Sequence, residues 1–324
     1  MSHRRDDDAR AAVETACRAP SVHNTQPWRW RINGSTIELR SDRDRQLTAS
    51  DPEGRNLLIS CGAALHHLQV AAANLGRELE TSRRPDAADP DLVAVAELGR
   101  RVPVAPADAE LLRALLHRTT DRRRFTTWPV PDQRLEKLAE VAQGWGTRIA
   151  VLTAPSSRAT VERLVERAIE IQRDDPAARA EHERWVRRSR PLDGVPASAV
   201  PPQDHASEVP DRFDRATTAH DPRQSVVPGD GVLAICTARD DAAAWLDTGE
   251  TLSALWLRAT IAGMSIVPLS QVIEVEQTRL SLRHRVFLDG AHPQLLVRVG
   301  WQAVTRPALP PVPRRPLADV LDRD

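Results

Sequence analysis

Two stretches of the chain hold side chains whose types and spacing could do chemistry. Residues 19–30 read APSVHNTQPWRW. Pro20 and Pro27 stiffen this run at both ends. Ser21, Asn24 and Gln26 offer donors and acceptors on short side chains. The run is too polar for a core strand and too proline-bounded for a helix. It can hydrogen-bond the edge of a flat heterocycle, or it can simply end a helix and feed a hairpin with Trp28 in the core. Residues 118–125 read RTTDRRRF. Arg118, Thr120 and Arg122 bring two guanidinium forks and a hydroxyl into roughly one helical turn, a donor set suited to a phosphate dianion. The alternative is a solvated, arginine-rich helix end whose cations complement the helix dipole. PRRPL, residues 313–317, adds Arg314 and Arg315 near the end of the sequence.

Other reactive types argue for little. Tyr is absent, so tyrosine chemistry is excluded. Cys17, Cys61 and Cys236 are far apart and form no CxxC pair, which predicts reduced thiols in a cytoplasmic protein rather than a disulfide frame or zinc site. Cys61, in an apolar helix, reads as inert. His66 and His67 are adjacent, fall on different helix faces and make no metal pair. His23 reads as a satisfied surface histidine, the alternative being contact with a ligand, and Trp185, Trp245 and Trp256 read as packing residues, the alternative being stacking on a flat ligand. The 45 basic and 45 acidic residues cancel, so no global field recruits nucleic acid or an anionic membrane. The basic residues are arginines, with Lys137 the exception. No N-terminal apolar run suggests a signal peptide, and none approaches the roughly 20 residues of a membrane span.

These stretches need elements to hold them. Residues 8–18 predict a helix with Ala11, Ala12, Val13 and Ala16 on its apolar face. WRWRINGSTIELR predicts a hairpin turning at Asn33-Gly34. GRNLLISCGAALHHLQVAAANLG predicts a long helix ended by Gly76. DLVAVAEL, RIAVLTA, GVLAICTA and QLLVRVGW predict strands. AELLRALLHR, DQRLEKLAEVAQ, residues 159–173 and DAAAWLDTGETLSALWLRATIAGM predict helices. Residues 174–230 are proline-rich and charged, long for a connection inside a compact domain, and read as a functional cover or a poorly ordered segment.

The two long helices share a pattern. From Gly62 the first places Leu65, Leu68, Ala72 and Gly76 at offsets 3, 6, 10 and 14, and from Gly249 the second places Leu252, Leu255, Ala259 and Gly263 at the same offsets. Each is followed by a strand candidate. Such a repeat predicts two related units, residues 1–105 and 106–324, packed about a pseudo-twofold axis, with their interface a natural place for a cofactor.

PSVHNTQPWRW resembles the P-S-x-x-N-x-Q-P-W signature of nitroreductase-fold flavoproteins, RTTDRRRF their R-x-[ST]-x-R flavin-phosphate motif, PRRPLADVL their C-terminal arginine segment, and GMSIVPLSQ the segment beside the flavin N5. The resemblance covers nearly the whole chain. The motif order and the fused length are similar to the Acg-type nitroreductase-like proteins of actinobacteria, in which one chain supplies both halves of a dimer. It implies an α+β fold: a mainly antiparallel sheet flanked by helices, in two related halves, with a lid-like insert at about 174–230. It implies that Arg118, Thr120 and Arg122, helped by Arg314 or Arg315, meet the phosphate of FMN. Pro20, Ser21, Asn24 and Gln26 would line the isoalloxazine or its ribityl chain, and the backbone around Pro268, Leu269 and Ser270 would face the ring and N5. No side-chain acid or base is then required, because the flavin carries the chemistry. Val22 and His23 depart from the small hydroxyl residues common in that loop.

The expected activity is hydride transfer from NAD(P)H through FMN to a small electrophile such as a nitroaromatic or quinone. No GxGxxG marks a resident nicotinamide nucleotide, so NAD(P)H would bind transiently. The alternative is a protein that stores or sequesters FMN under a covered site with little turnover. Neither metal nor nucleic acid nor membrane is expected as a partner. A monomer is expected because one chain holds both halves, with a homodimer as the other form, and one flavin per chain because only the second half carries the arginine motif.

Overall fold

The computed structural model describes residues 2–123, 125–186, 192–195, 229–303, 309 and 311–322. The expected cover over 174–230 therefore falls mostly outside the described residues, at 187–191 and 196–228.

Two antiparallel four-stranded sheets form the frame. The first has the order β1-β2-β4-β3, built from β1 (Trp28–Asn33), β2 (Thr36–Ser41), β3 (Arg77–Arg83) and β4 (Leu92–Arg101). The second repeats it as β5-β6-β8-β7, from β5 (Thr147–Val151), β6 (Gly231–Thr237), β7 (Ser265–Leu269) and β8 (His292–Gly300). Each sheet has one long helix between its second and third strands: α2 (Arg55–Asn74) in the first and α7 (Ala242–Ile261) in the second.

The sequence pattern of each sheet follows from how it is covered. In WRWRIN the Trp28 and Trp30 side chains are fully buried and the arginine after each, Arg29 and Arg31, is exposed, so β1 has one dry face and one wet face. GVLAICT is buried at every position of β6. Leu233 and Ile235 pack with Leu252, Leu255 and Trp256 of α7 on one face. Val232, Ala234 and Cys236 pack with Val161, Leu164 and Val165 of α5 (Pro155–Asp174) on the other. α1 (Ser2–Ala16) begins earlier than expected and buries Ala9, Ala12, Val13 and Ala16 against the first core; Ala11 lies on its exposed face. The spacing 9, 12, 13, 16 is that of one helical stripe.

α2 and α7 cross at their glycines. A Cβ built on Gly62 would lie 2.1 Å from the Leu246 carbonyl oxygen, and one on Gly249 would lie 2.0 Å from that of Ile59. Only hydrogen at both positions lets the backbones approach so closely. One turn along, His66 Nδ1 is 2.8 Å from Ser253 Oγ. α2 and α7 therefore pack directly against each other, each lining its own hydrophobic cluster.

The remaining helices are α3 (Pro106–His117), α4 (Asp132–Ala139), α6 (Pro176–Trp185), α8 (Gln271–Glu274) and α9 (Glu276–Val286), with α10 (Leu317–Val320) beside β1. Among the described residues no helix is long and apolar enough to cross a membrane.

Candidate functional site

A cleft opens beside α2 and α7. Pro20, Ser21, Val22 and His23 form one wall, and Asn56, Ile59 and Ser60 of α2 form the floor beside them. The opposite wall combines Thr120 and Arg122 with Leu252 and Trp256 of α7, and the end of β7 supplies Val267, Pro268 and Ser270, followed by Gln271. Residues distant in sequence, 20–60 and 120–271, thus meet around one cleft.

The loop of residues 20–27 is held in unusual backbone geometry. His23, Asn24 and Gln26 have φ of 46°, 55° and 50°, in the left-handed region. Each such non-glycine residue costs on the order of 1–3 kcal/mol unless its surroundings impose it. Here they do. Ser21 Oγ accepts from the Gln26 amide at 2.9 Å, and Ser60 Oγ accepts from the Val22 amide at 3.2 Å. Asn24 Nδ2 donates to the Gly194 and Pro313 carbonyls at 3.0 and 3.1 Å, and its Oδ1 accepts from Arg314 at 3.0 Å. Gln26 Nε2 donates to the Leu192 carbonyl, while its Oε1 accepts from the Arg315 amide, both at 2.9 Å. Asn24 and Gln26 are therefore spent on fixing the loop to residues 192–195 and the C-terminal segment, and neither lines the cleft. Arg45 adds an ion pair to Asp193 and stacks over Trp185.

Beside the cleft lies a cluster of cations with no carboxylate paired to them among the described residues. Arg118 is buried, with its guanidinium carbon 4.8 Å from the centre of the Trp256 ring. Its Nη2 donates to the Arg18 carbonyl at 3.2 Å, and its Nε and Nη1 have no partner. Arg314 reaches the same Arg18 carbonyl at 3.1 Å and leaves its Nε unpartnered. Among the described residues neither arginine pairs with a carboxylate. Burial, and then repulsion by Arg314 and Arg18, push Arg118 down to about 9; burial, and then repulsion by Arg18, push Arg314 down to about 10. Both stay cationic at neutral pH, in a place that disfavours their charge. Unpaired guanidinium nitrogens in a dry pocket fit a phosphate dianion, which supplies the missing acceptors and charge.

The twelve residues expected at a site thus fall into three groups. Pro20, Ser21, Thr120, Arg122, Pro268 and Ser270 line the cleft. Arg118 and Arg314 form the cation cluster. The other four lie behind: Asn24 and Gln26 brace the loop, Leu269 is fully buried in the core under the second sheet, and Arg315 is drawn to Asp42 at 3.5 Å and to the Asp319 carbonyl.

His23 is not the surface residue the sequence suggested. It is 6% exposed, lines the cleft, and meets His182 of α6 edge-on at 5.2 Å between ring centres. Asn56, Ser60, His67, Gln271 and Arg18 were not singled out as site residues. A signal existed for the first three: they are polar interruptions of an apolar helix at spacings of 4 and 7, which is one face. The cysteines are buried; burial raises Cys17 and Cys236 to about 12 and Cys61 further, so all three are inert thiols.

No protein-family model matches the chain. Two Mycobacterium tuberculosis proteins that carry the provisional name NAD(P)H nitroreductase are similar to it almost end to end. One is 37% identical over 318 residues, covering 98% of this chain and 91% of its own length. The other, named acg, is 32% identical over 316 residues, covering 97% and 95%. Among solved structures, a nitroreductase with bound FMN from Desulfitobacterium hafniense aligns with 66% of this chain and 98% of its own at 16% identity, with a TM-score of 0.41.

Proposed function

Since the chain belongs to the Acg-type nitroreductase-like proteins, we propose that it is an FMN-dependent NAD(P)H oxidoreductase whose flavin lies in the cleft between the two halves. The observation that carries this reading is the set of buried guanidinium nitrogens left without hydrogen-bond partners among the described residues, Nε and Nη1 of Arg118 and Nε of Arg314, beside the cleft. Arg118 and Arg314 would hold the phosphate. Pro20 and Ser21 would flank the ring from one side, and Pro268 and Ser270 from the end of β7. Thr120 and Arg122 would lie between phosphate and ring; a cation there favours an electron-rich flavin. Asn24, Gln26 and Arg315 act at one remove, by holding the strained loop in place. Bound FMN would accept hydride from NAD(P)H and deliver it to a small electrophile. Because one chain supplies both walls, a monomer suffices for the site, and its residues 1–105 and 106–324 act as the two halves of one unit.

A second reading has its own observation. α6 sets His182 against the cleft residue His23, and residues 192–195 are hydrogen-bonded to the same loop. Part of the insert therefore covers the rim of the cleft, as a protein that holds FMN with little turnover would require.

Anaerobic addition of NADH or NADPH to the flavin-loaded protein separates the two. Loss of the flavin absorption bands within seconds supports the reductase, and bands that persist support the holding protein. Protein that takes up no FMN overturns both.

A further inference from the structure

We propose that His67 is a phosphate ligand of this site, a neutral imidazole that donates one N–H to the flavin phosphate beside Arg118 and Arg314. The inference rests on the flavin reading above and assigns a residue that no motif marked.

His67 is completely buried in α2, and neither of its ring nitrogens has a hydrogen-bond partner. A dry core seldom leaves both polar atoms of an imidazole unpaired. The adjacent His66 shows the usual solution, with its Nδ1 2.8 Å from Ser253 Oγ. The groups that act on His67 are Arg118, Arg314 and Arg18 across the helix packing, with His66 on its own helix. All are basic. Burial first, and these neighbours second, hold His67 well below its ordinary range, so it is neutral and keeps one N–H to give.

Three chain segments run from this cluster into the cleft. Arg18 leads to Pro20 and Ser21, and Arg118 leads to Thr120 and Arg122. On α2, His67 shares a face with Ser60 and Asn56, seven and eleven residues earlier, both of which line the cleft. Seven residues of helix span roughly 10 Å, comparable with the reach of a ribityl phosphate. A ring lying over Ser60 thus brings its phosphate toward His67. The unpaired nitrogens of His67, Arg118 and Arg314 sit on residues close enough to act on one another electrostatically. Arginines alone satisfy the charge of a phosphate; a neutral donor adds a directed bond without further repulsion among the cations.

The test is equilibrium titration of apoprotein with FMN and with riboflavin, which lacks the phosphate, followed by quenching of flavin fluorescence. Wild-type protein should prefer FMN. His67→Leu should weaken FMN roughly ten- to a hundredfold, the range for a hydrogen bond to a charged group, and leave riboflavin unchanged. His67→Gln, which keeps an N–H donor, should recover part of the loss. A His67→Leu protein with the wild-type preference for FMN over riboflavin overturns this inference alone; wild-type protein that binds no flavin overturns the flavin reading with it. Should the variants fail to fold, wild-type protein labelled with 15N-histidine gives the answer. FMN, and not riboflavin, should move the His67 N–H resonance to a hydrogen-bonded position, and an unmoved resonance overturns the proposal.

Discussion

An offset of 187 residues matches Gly62 to Gly249 and His66 to its own hydrogen-bond partner Ser253. At that offset the cleft residues Ser60, Trp256 and Ser270 correspond to Asp247, Gln69 and Arg83. The first set leaves a space. In the second set, Arg83 reaches the fully buried Glu250 with Nε and Nη2 at 2.6 and 2.8 Å, and Gln69 Nε2 donates to the same carboxylate at 2.7 Å. One position on the shared frame is open and cationic. Its counterpart is filled by an arginine that has its carboxylate built in. The contrast shows that like topology does not by itself make like sites: what decides is whether the chain supplies the anion or leaves it to a ligand.

The largest effect should come from undoing the filled side. Arg83→Ala leaves Glu250 buried with one amide for company, which should destabilise the fold by about 3–5 kcal/mol in urea unfolding. A loss below about 1 kcal/mol would mean that the ion pair does not close the counterpart. Next comes the contact that joins both sides. Gly249→Ala puts a methyl group into the Ile59 carbonyl and should cost about 3 kcal/mol by overpacking; an unchanged melting temperature would contradict the close crossing of α2 and α7.

The open side should respond in the opposite sense. Arg118→Ala removes a cation that has no anion, so the apoprotein should be no less stable than wild type, while FMN affinity should fall by about 1.5–3 kcal/mol. A destabilised apoprotein with unchanged FMN affinity would make Arg118 a structural residue.

The smallest effect concerns Asp247. Burial, and then the nearby Glu250, raise its carboxyl to about 6. The folded state therefore takes up a proton well above the roughly 3.9 of an unfolded aspartate. Asp247 costs stability above this window, and the cost fades as pH falls through it. Glu250→Gln should move the Asp247 titration downward, as followed by 13C NMR of its carboxyl; a midpoint left at 6 would assign the whole shift to burial.

Much of this was legible in the sequence, and the omissions have physical causes. The arginine and proline motifs stand out because their residue types are costly anywhere else, and the α2 and α7 repeat because helix packing imposes its spacing. β3 and β7 were missed. Both are edge strands: RELETSR carries little apolar pattern because much of β3 is wet, and SIVPL contains Pro268 in its interior, which an edge strand tolerates and the pattern of a central strand argues against. His23 looked exposed because nothing local reveals that α6, more than 150 residues later, packs on it. His67 and Arg18 belong to the cluster through tertiary packing alone. Asn24 and Gln26 were visible as polar residues, but their hydrogen-bond partners lie at residues 192–194 and 313–315, beyond any local pattern.

The central claim is that this one cleft, and not its counterpart, takes a flavin through its phosphate. The direct measurement is a titration of apoprotein with FMN under tight-binding conditions, read for stoichiometry. A break at one FMN per chain is the predicted result. A break at two would show that the counterpart binds as well, and uptake of none would contradict the assignment of the cleft.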